Sequence, residues 1–246
     1  MIGEESSTGK EIARTAHKAI EATEKLGRFI AKALGEPIDQ ASAMLADRIR
    51  YMRWEQQVKL IDRCQEIIKK RKIEGKQVIA SPKALFPLLE AASLENDPGL
   101  RELYSQLLAS FVDPSKVEII RTGFVEIVKQ LEPIDAKVLQ VIYINFVKQQ
   151  EDTGSRTSTR RSPNSYQMRK RNIVSTIPLA DSVYEAAVDN LIRLRCIETY
   201  KAHDTIDIDL KNDWVNTEVT FDHGYSSVAL TSFGQQFCEA CALDAL

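Results

Sequence analysis

The sequence predicts a mainly α protein, with an N-terminal helical region followed by a smaller α+β module. Three observations predict it. Apolar residues recur at helical spacing from about residue 10 to residue 149. That pattern is broken by turn and start signals at Gly35–Pro37, Ser81-Pro82, Asp97-Pro98 and Asp113-Pro114. Period-two alternation enters only late, in "TIDIDL" and more weakly in "EVTF". A chain of 246 residues that is 43% hydrophobic and 28% charged can bury a core in one or two soluble domains.

Residues 1–36 form an N-terminal helix or arm. Within them Ala19, Thr23, Gly27 and Ala31, continued by Gly35, recur every four residues and share one helical ridge. All are small, so a second helix can approach closely, and the ridge is the candidate surface for self-association. Packing within the chain is the blander alternative. Lys18, Glu21, Glu24, Lys25, Arg28 and Lys32 exclude a membrane span here.

Residues 37–131 read as a helical domain. A long helix over 38–72 carries the stripe Leu45, Ile49, Met52, Gln56, Leu60, Cys64, Ile67 and Ile68, and ends in "KKRK", cations suited to a helix C-terminus. Ser81-Pro82 and Asp97-Pro98 each start a further helix. The faces are Leu85, Leu88, Leu89 and Ala92, then Leu100, Leu103, Tyr104, Leu107, Leu108 and Phe111. Pro87 is expected to kink the first of these helices. Glu90, Glu95, Asp97 and Glu102 crowd this stretch, but no His, Cys or Lys joins them at helical spacing, so they read as caps and polar-face residues. Helical patterns continue over 117–131.

Residues 132–246 form the smaller module. A helix over 134–149 leads into a polar loop, 151–172, with six cations against two acids. "ADSVYEAAVDNLIRLRCIETY" reads as a helix running into a strand, its buried side marked by Val183, Ala187, Leu191 and Leu194. "SVALTSFGQQFCEACAL" reads as a strand entering a helix. The segments "NLIRLRCIET" and "VALTSFGQQF" resemble a winged helix, so the module is expected to be winged-helix-like. Its charge is wrong for duplex DNA. Residues 173–246 hold 4 bases and 12 acids, and Asp181, Glu185 and Asp189 lie on the helix that would enter the groove.

Other motifs fail on spacing. "GEESSTGKE" has five residues between its glycines and Glu11 where a magnesium-binding hydroxyl belongs, so it is not a phosphate loop. "CEAC", Cys238 to Cys241, lacks a second ligand pair and reads as buried thiols, with no metal site. Asp207 and Asp209 read as the solvent face of a strand. With no apolar leader, no spanning segment and four scattered cysteines, the chain is expected to be cytoplasmic.

Three blocks carry a family resemblance: "LGEPIDQASAMLADRIRYMRWEQQVKLIDRCQEI", "LFPLLEAASLENDPGLRELYSQLLAS" and "FVEIVKQLEPIDAKVL". With "NLIRLRCIE" and "ALTSFGQQFCEAC", they resemble the Abi-alpha (abortive infection alpha) family of bacterial proteins over about residues 34–241. The resemblance implies a role in antiviral defence, the abortive infection of phage-infected cells. No catalytic motif accompanies it. The expected function is a non-enzymatic phage-defence component acting through a protein partner or self-association, without cofactor, metal or small-molecule ligand. Two alternatives stay open. One is a nucleic-acid-binding regulator using Arg156, Arg160, Arg161, Arg169, Lys170 and Arg171 of the basic loop. The other is a membrane-active effector using the first helix, which its balance of six bases and six acids disfavours.

Overall fold

The structure, a computed structural model, describes residues 17, 20, 21, 23–40, 43, 54–154, 167–200 and 227–243. They fall into two compact units. The first runs to Gln130 and takes in Ala240–Ala242; the second is Leu131–Glu239 with Leu243.

In the first unit, residues 23–34 are helical (α1) and bury Leu26, Ile30, Ala33 and Leu34. Gly35 ends α1 in the left-handed conformation at φ 66°, and the Glu36 N–H reaches back to the Ala31 carbonyl at 3.0 Å. Helix α2 is Trp54–Lys70. Its buried stripe is Gln57, Leu60, Ile61, Cys64, Ile67 and Ile68. The expected stripe named Gln56 instead, but Gln56 lies one residue off the stripe and accepts a hydrogen bond from Arg101 at 3.1 Å. Leu45, Ile49 and Met52 lie outside the described residues.

Helix α2 ends in the same way as α1, with Lys72 at φ 57° and the Ile73 N–H on the Ile68 carbonyl at 3.2 Å. After it, a non-helical stretch lies between two helix ends. The Ala80 N–H donates to the Ala33 carbonyl at 2.7 Å, and the Val78 N–H to the Val112 carbonyl at 3.0 Å.

Helix α3 is Pro82–Leu94 and continues through Pro87. Ser81 stands at its N-cap position, but its side chain makes no capping bond. Helix α4 is Pro98–Phe111, where Asp97 does cap, accepting from the Leu100 N–H at 2.9 Å. Every residue from Leu103 to Phe111 is buried, so α4 is covered on all sides. Its interior polar groups are satisfied. The Ser105 hydroxyl donates to the Arg101 carbonyl, and the Gln106 amide to Glu102, both at 2.9 Å.

A 3-10 turn, Pro114–Lys116, follows, and α5 spans Gly123–Gln130. The expected helix over 117–131 therefore starts six residues late. Arg121 occupies the intervening turn and donates to the carbonyls of Glu118 and Ile120 at 2.6 and 3.0 Å, closing a loop where helical bonds would otherwise run.

The second unit opens with α6, Pro133–Gly154. The Asp135 carboxylate is buried. It accepts from the Glu132 N–H at 2.9 Å and from the Asn190 amide at 2.5 Å, tying α6 to α8. Of the expected loop 151–172, residues 151–154 continue α6, Met168–Arg169 form strand β1 and α7 covers Lys170–Thr176, while 155–166 lie outside the described residues. Helix α8 is Asp181–Arg193 and buries Tyr184, Ala187, Val188 and Leu191. Val183, expected inside, is 42% exposed. Steps of four residues drift around a 3.6-residue helix, and the i, i+3, i+4, i+7 set is the one that faces inward.

Strands β2, Ile197–Tyr200, and β3, Ser227–Leu230, complete a three-stranded antiparallel sheet in the order β1-β3-β2. Ile197 pairs with Leu230, and Met168 with Val228. The central strand β3 is buried along its length. Thr231 then begins helix α9, Ser232–Ala240, accepting from the Gly234 N–H at 2.9 Å. The Thr231 hydroxyl also donates to the Arg195 carbonyl at 2.6 Å, and its N–H to the Cys196 carbonyl at 3.1 Å. "TIDIDL", "EVTF", Asp207 and Asp209 lie outside the described residues.

Candidate functional site

A seam of charged and polar side chains joins α2 and the turn after it to α4. Arg63 lies on α2 and Arg71 just past its end at Lys70, and both side chains reach α4. Glu102, Gln106 and Ser110 recur every four residues on α4. Arg63 forks onto Glu102 at 2.8 and 2.9 Å and also reaches Glu66 at 2.8 Å. Those carboxylates, Glu102 foremost, hold its guanidinium firmly charged, its pKa raised above the ordinary arginine value. Arg71 donates to Gln106, Ser110 and Asp113 at 2.8, 2.9 and 3.1 Å. Asp113, almost fully buried, accepts in addition from the Ser115 N–H and hydroxyl.

The seam makes a prediction. Arg71→Met should cost ~3 kcal/mol in urea unfolding, because it leaves the Asp113 carboxylate buried without its cation. Arg63→Met should cost ~1 kcal/mol or less, its guanidinium being half exposed. Equal losses would show that burial of Asp113 is not what makes the inner pair matter.

Three of the four clustered carboxylates thus hold structural positions. Asp97 caps α4. Glu95 accepts the N–H groups of Asn96 and Asp97 at 2.8 and 2.7 Å. Glu102 belongs to the seam and Glu90 is exposed. Tertiary packing does bring two groups that spacing missed. Tyr104 and Lys129 join Glu90 and Glu95 around a cavity of about 400 Å³. Neither is a free base. Burial raises the Tyr104 phenol above its ordinary pKa and its hydroxyl donates to the Val128 carbonyl at 3.4 Å, while Lys129 pairs with Glu126 at 3.2 Å.

Of the proposed self-association ridge, Thr23 is exposed, Gly27 and Ala31 are buried within the chain, and Ala19 lies outside the described residues. Of the basic loop, Arg156, Arg160 and Arg161 lie outside them as well. Arg169 and Arg171 are exposed at the β1–α7 junction. Lys170 is turned inward, 3.1 Å from Asp181 and 3.6 Å from Glu185, with its ammonium 5.4 Å from the centre of the Tyr184 ring. All four cysteines are buried free thiols, and burial pushes Cys64 and Cys196 up to about 12. Among the described residues no three His, Cys, Asp or Glu side chains gather as a metal site would require, and no helix is long and apolar enough to cross a membrane.

One feature of α1 was visible in the sequence only as scattered charge. Lys25, Arg28 and Lys32 stand at i, i+3 and i+7 and line one edge of an open groove of about 410 Å³. Its floor is apolar, formed by Phe29 and Ala33 of α1, Ile68 of α2 and Val112 after α4. Gln65, Glu74 and Gln77 complete the rim. The spacing of the cations was legible; that they share a cavity depends on where α2 and residues 73–80 pack.

Fold and site together define a class of mainly helical proteins: a helical unit knit by one charged seam, then a small antiparallel sheet flanked by helices. The chain belongs to the abortive infection alpha family, whose family model matches residues 55–241. Neither a search of curated proteins nor one of solved structures finds a significant match.

Proposed function

We propose that the protein is a cytoplasmic phage-defence component of the abortive infection type that works through protein contacts and not by catalysis. Membership of the abortive infection alpha family carries the defence role. Support for the contact role comes from the described carboxylates and thiols: most carboxylates of the central stretch are spent on caps and ion pairs, and the thiols are buried. In this reading an N-terminal arm, 1–36, precedes a helical domain, 37–131, and a winged-helix-like module, 132–246. The order helix, strand, helix, helix, strand, strand, with sheet order β1-β3-β2, supports a winged helix. Asp181 and Asp189 are exposed on α8, and Lys170 is neutralised by acids, which favours a protein partner or a second copy over duplex DNA.

The test is phage challenge of a bacterial host expressing the full chain. Infected cultures at high multiplicity should collapse without releasing progeny, while plaque formation drops at low multiplicity. Infected cells that survive and divide would remove the abortive character. Full chain that shifts duplex DNA at low salt, with affinity falling steeply as salt is added, would replace protein contact with nucleic-acid binding.

A further inference from the structure

The groove on α1 combines a volume of small-ligand size, an apolar floor and a row of cations. Its cations differ in how far they are committed. Lys25 is ion-paired with Asp62 and so held in place at the groove's end. Arg28 pairs with Glu24 at 3.8 Å, with both side chains more than 60% exposed, a pair of little strength. Lys32 is exposed at the other end.

Seven residues of helix separate Lys25 from Lys32, a reach of roughly 10 Å along the axis. That reach suits a chain of two or three phosphates. Phe29, Ala33, Ile68 and Val112 line the groove as largely buried apolar side chains, Phe29 retaining 8% exposure, which gives a planar ring an apolar wall to lie against. The Gln65 and Gln77 amides can donate and accept at its edge. Among the described residues Glu74 is the one acid lining the groove. It opposes anions, so the attraction is moderate and dependent on salt.

The neighbouring cavities are less apt. The cavity of about 300 Å³ over the α2–α4 seam also has cations, but Arg63 is already bidentate on Glu102, and Arg101 donates to Gln56. The cavity beside Glu90 and Glu95 presents carboxylates and would repel an anion.

We infer that this groove binds a phosphorylated small molecule of nucleotide size, with Arg28 and Lys32 on its phosphates and its ring against Phe29. Such a site would let the defence protein respond to a small anion independently of its protein contacts.

The test is titration of the full chain with ATP, without magnesium, followed by calorimetry. Saturable binding of one ATP per chain is expected. Arg28→Gln with Lys32→Gln should weaken it tenfold or more with the unfolding midpoint unchanged. Inorganic triphosphate should compete and adenosine alone should compete weakly. Lys69→Gln, an exposed cation outside the groove, should leave binding as it was. Absence of saturable ATP and triphosphate binding would overturn the assignment. So would binding that survives the double substitution, or binding of a long polyanion such as heparin with none of ATP. Because the readout is binding by the purified chain, it stands or falls separately from phage protection.

Discussion

Gly234→Ala is expected to disrupt the second unit, with a stability loss of at least ~3 kcal/mol. A Cβ at residue 234 would lie 1.9 Å from the Cys196 carbonyl oxygen, and 2.6 and 2.8 Å from the Cys196 carbonyl carbon and Cα. All three atoms are backbone, so no flexible side chain can yield. The approach is this close because Thr231, three residues earlier, is bonded to the carbonyls of both Arg195 and Cys196 while capping α9. The turn after α8 is itself constrained: Arg195 is left-handed at φ 60°, and the Cys196 N–H closes onto the Leu191 carbonyl at 2.9 Å. Relief of the clash must therefore pull α9 away from the β2 end. Thr231→Ala removes a cap without adding a clash and should cost only ~1 kcal/mol. Urea unfolding followed by circular dichroism checks the order of the two. Near-native stability of Gly234→Ala would mean that α9 does not pack against Cys196 as described.

Leu107→Asp should unfold the first unit, while Glu90→Gln should be nearly silent. Leu107 is fully buried near the middle of α4, the helix covered on all sides, and a carboxylate there has no cation to meet it. Arg71 is already engaged by Asp113, Ser110 and Gln106. The expected loss is roughly 4 kcal/mol or more, a large part of the stability of an ordinary domain. Glu90 is exposed, and its substitution should shift stability by ~0.5 kcal/mol or less. Phage protection should follow the same order, lost in Leu107→Asp and kept in Glu90→Gln. Loss of protection in Glu90→Gln with unchanged stability would turn the cavity beside Tyr104 and Lys129 into an active site and make the chain an enzyme.

Local signals in this chain are legible where one residue acts alone. Asp97-Pro98 marks a helix start because the carboxylate caps and the proline lacks an N–H that the first turn would leave unused. Ser81-Pro82 carries the same kind of signal, a capping residue before Pro, yet Ser81 makes no capping bond; α3 starts there on Pro82 and on its buried face. Patterns spanning several turns are less legible. A stripe in steps of four along α8 takes in exposed Val183, because small errors in phase accumulate with each turn. Reading Glu102 as a polar-face residue leaves out Arg63, which lies 39 residues earlier.

The sequence by itself determined the helical class, the main breaks between helices and the family, since each depends on periodicity, capping chemistry or a run of matching residues. Tertiary structure alone decided which charges are spent and which are available. Arg63, Arg71 and Lys170 are cations like Arg28 and Lys32 in any local reading. Packing brings carboxylates to the first three and an open apolar groove to the last two. The same holds for Gly234, whose need for a missing side chain is set by a carbonyl 38 residues away in sequence. Such contacts join residues that share no local pattern, and only the folded chain places them within a few ångströms.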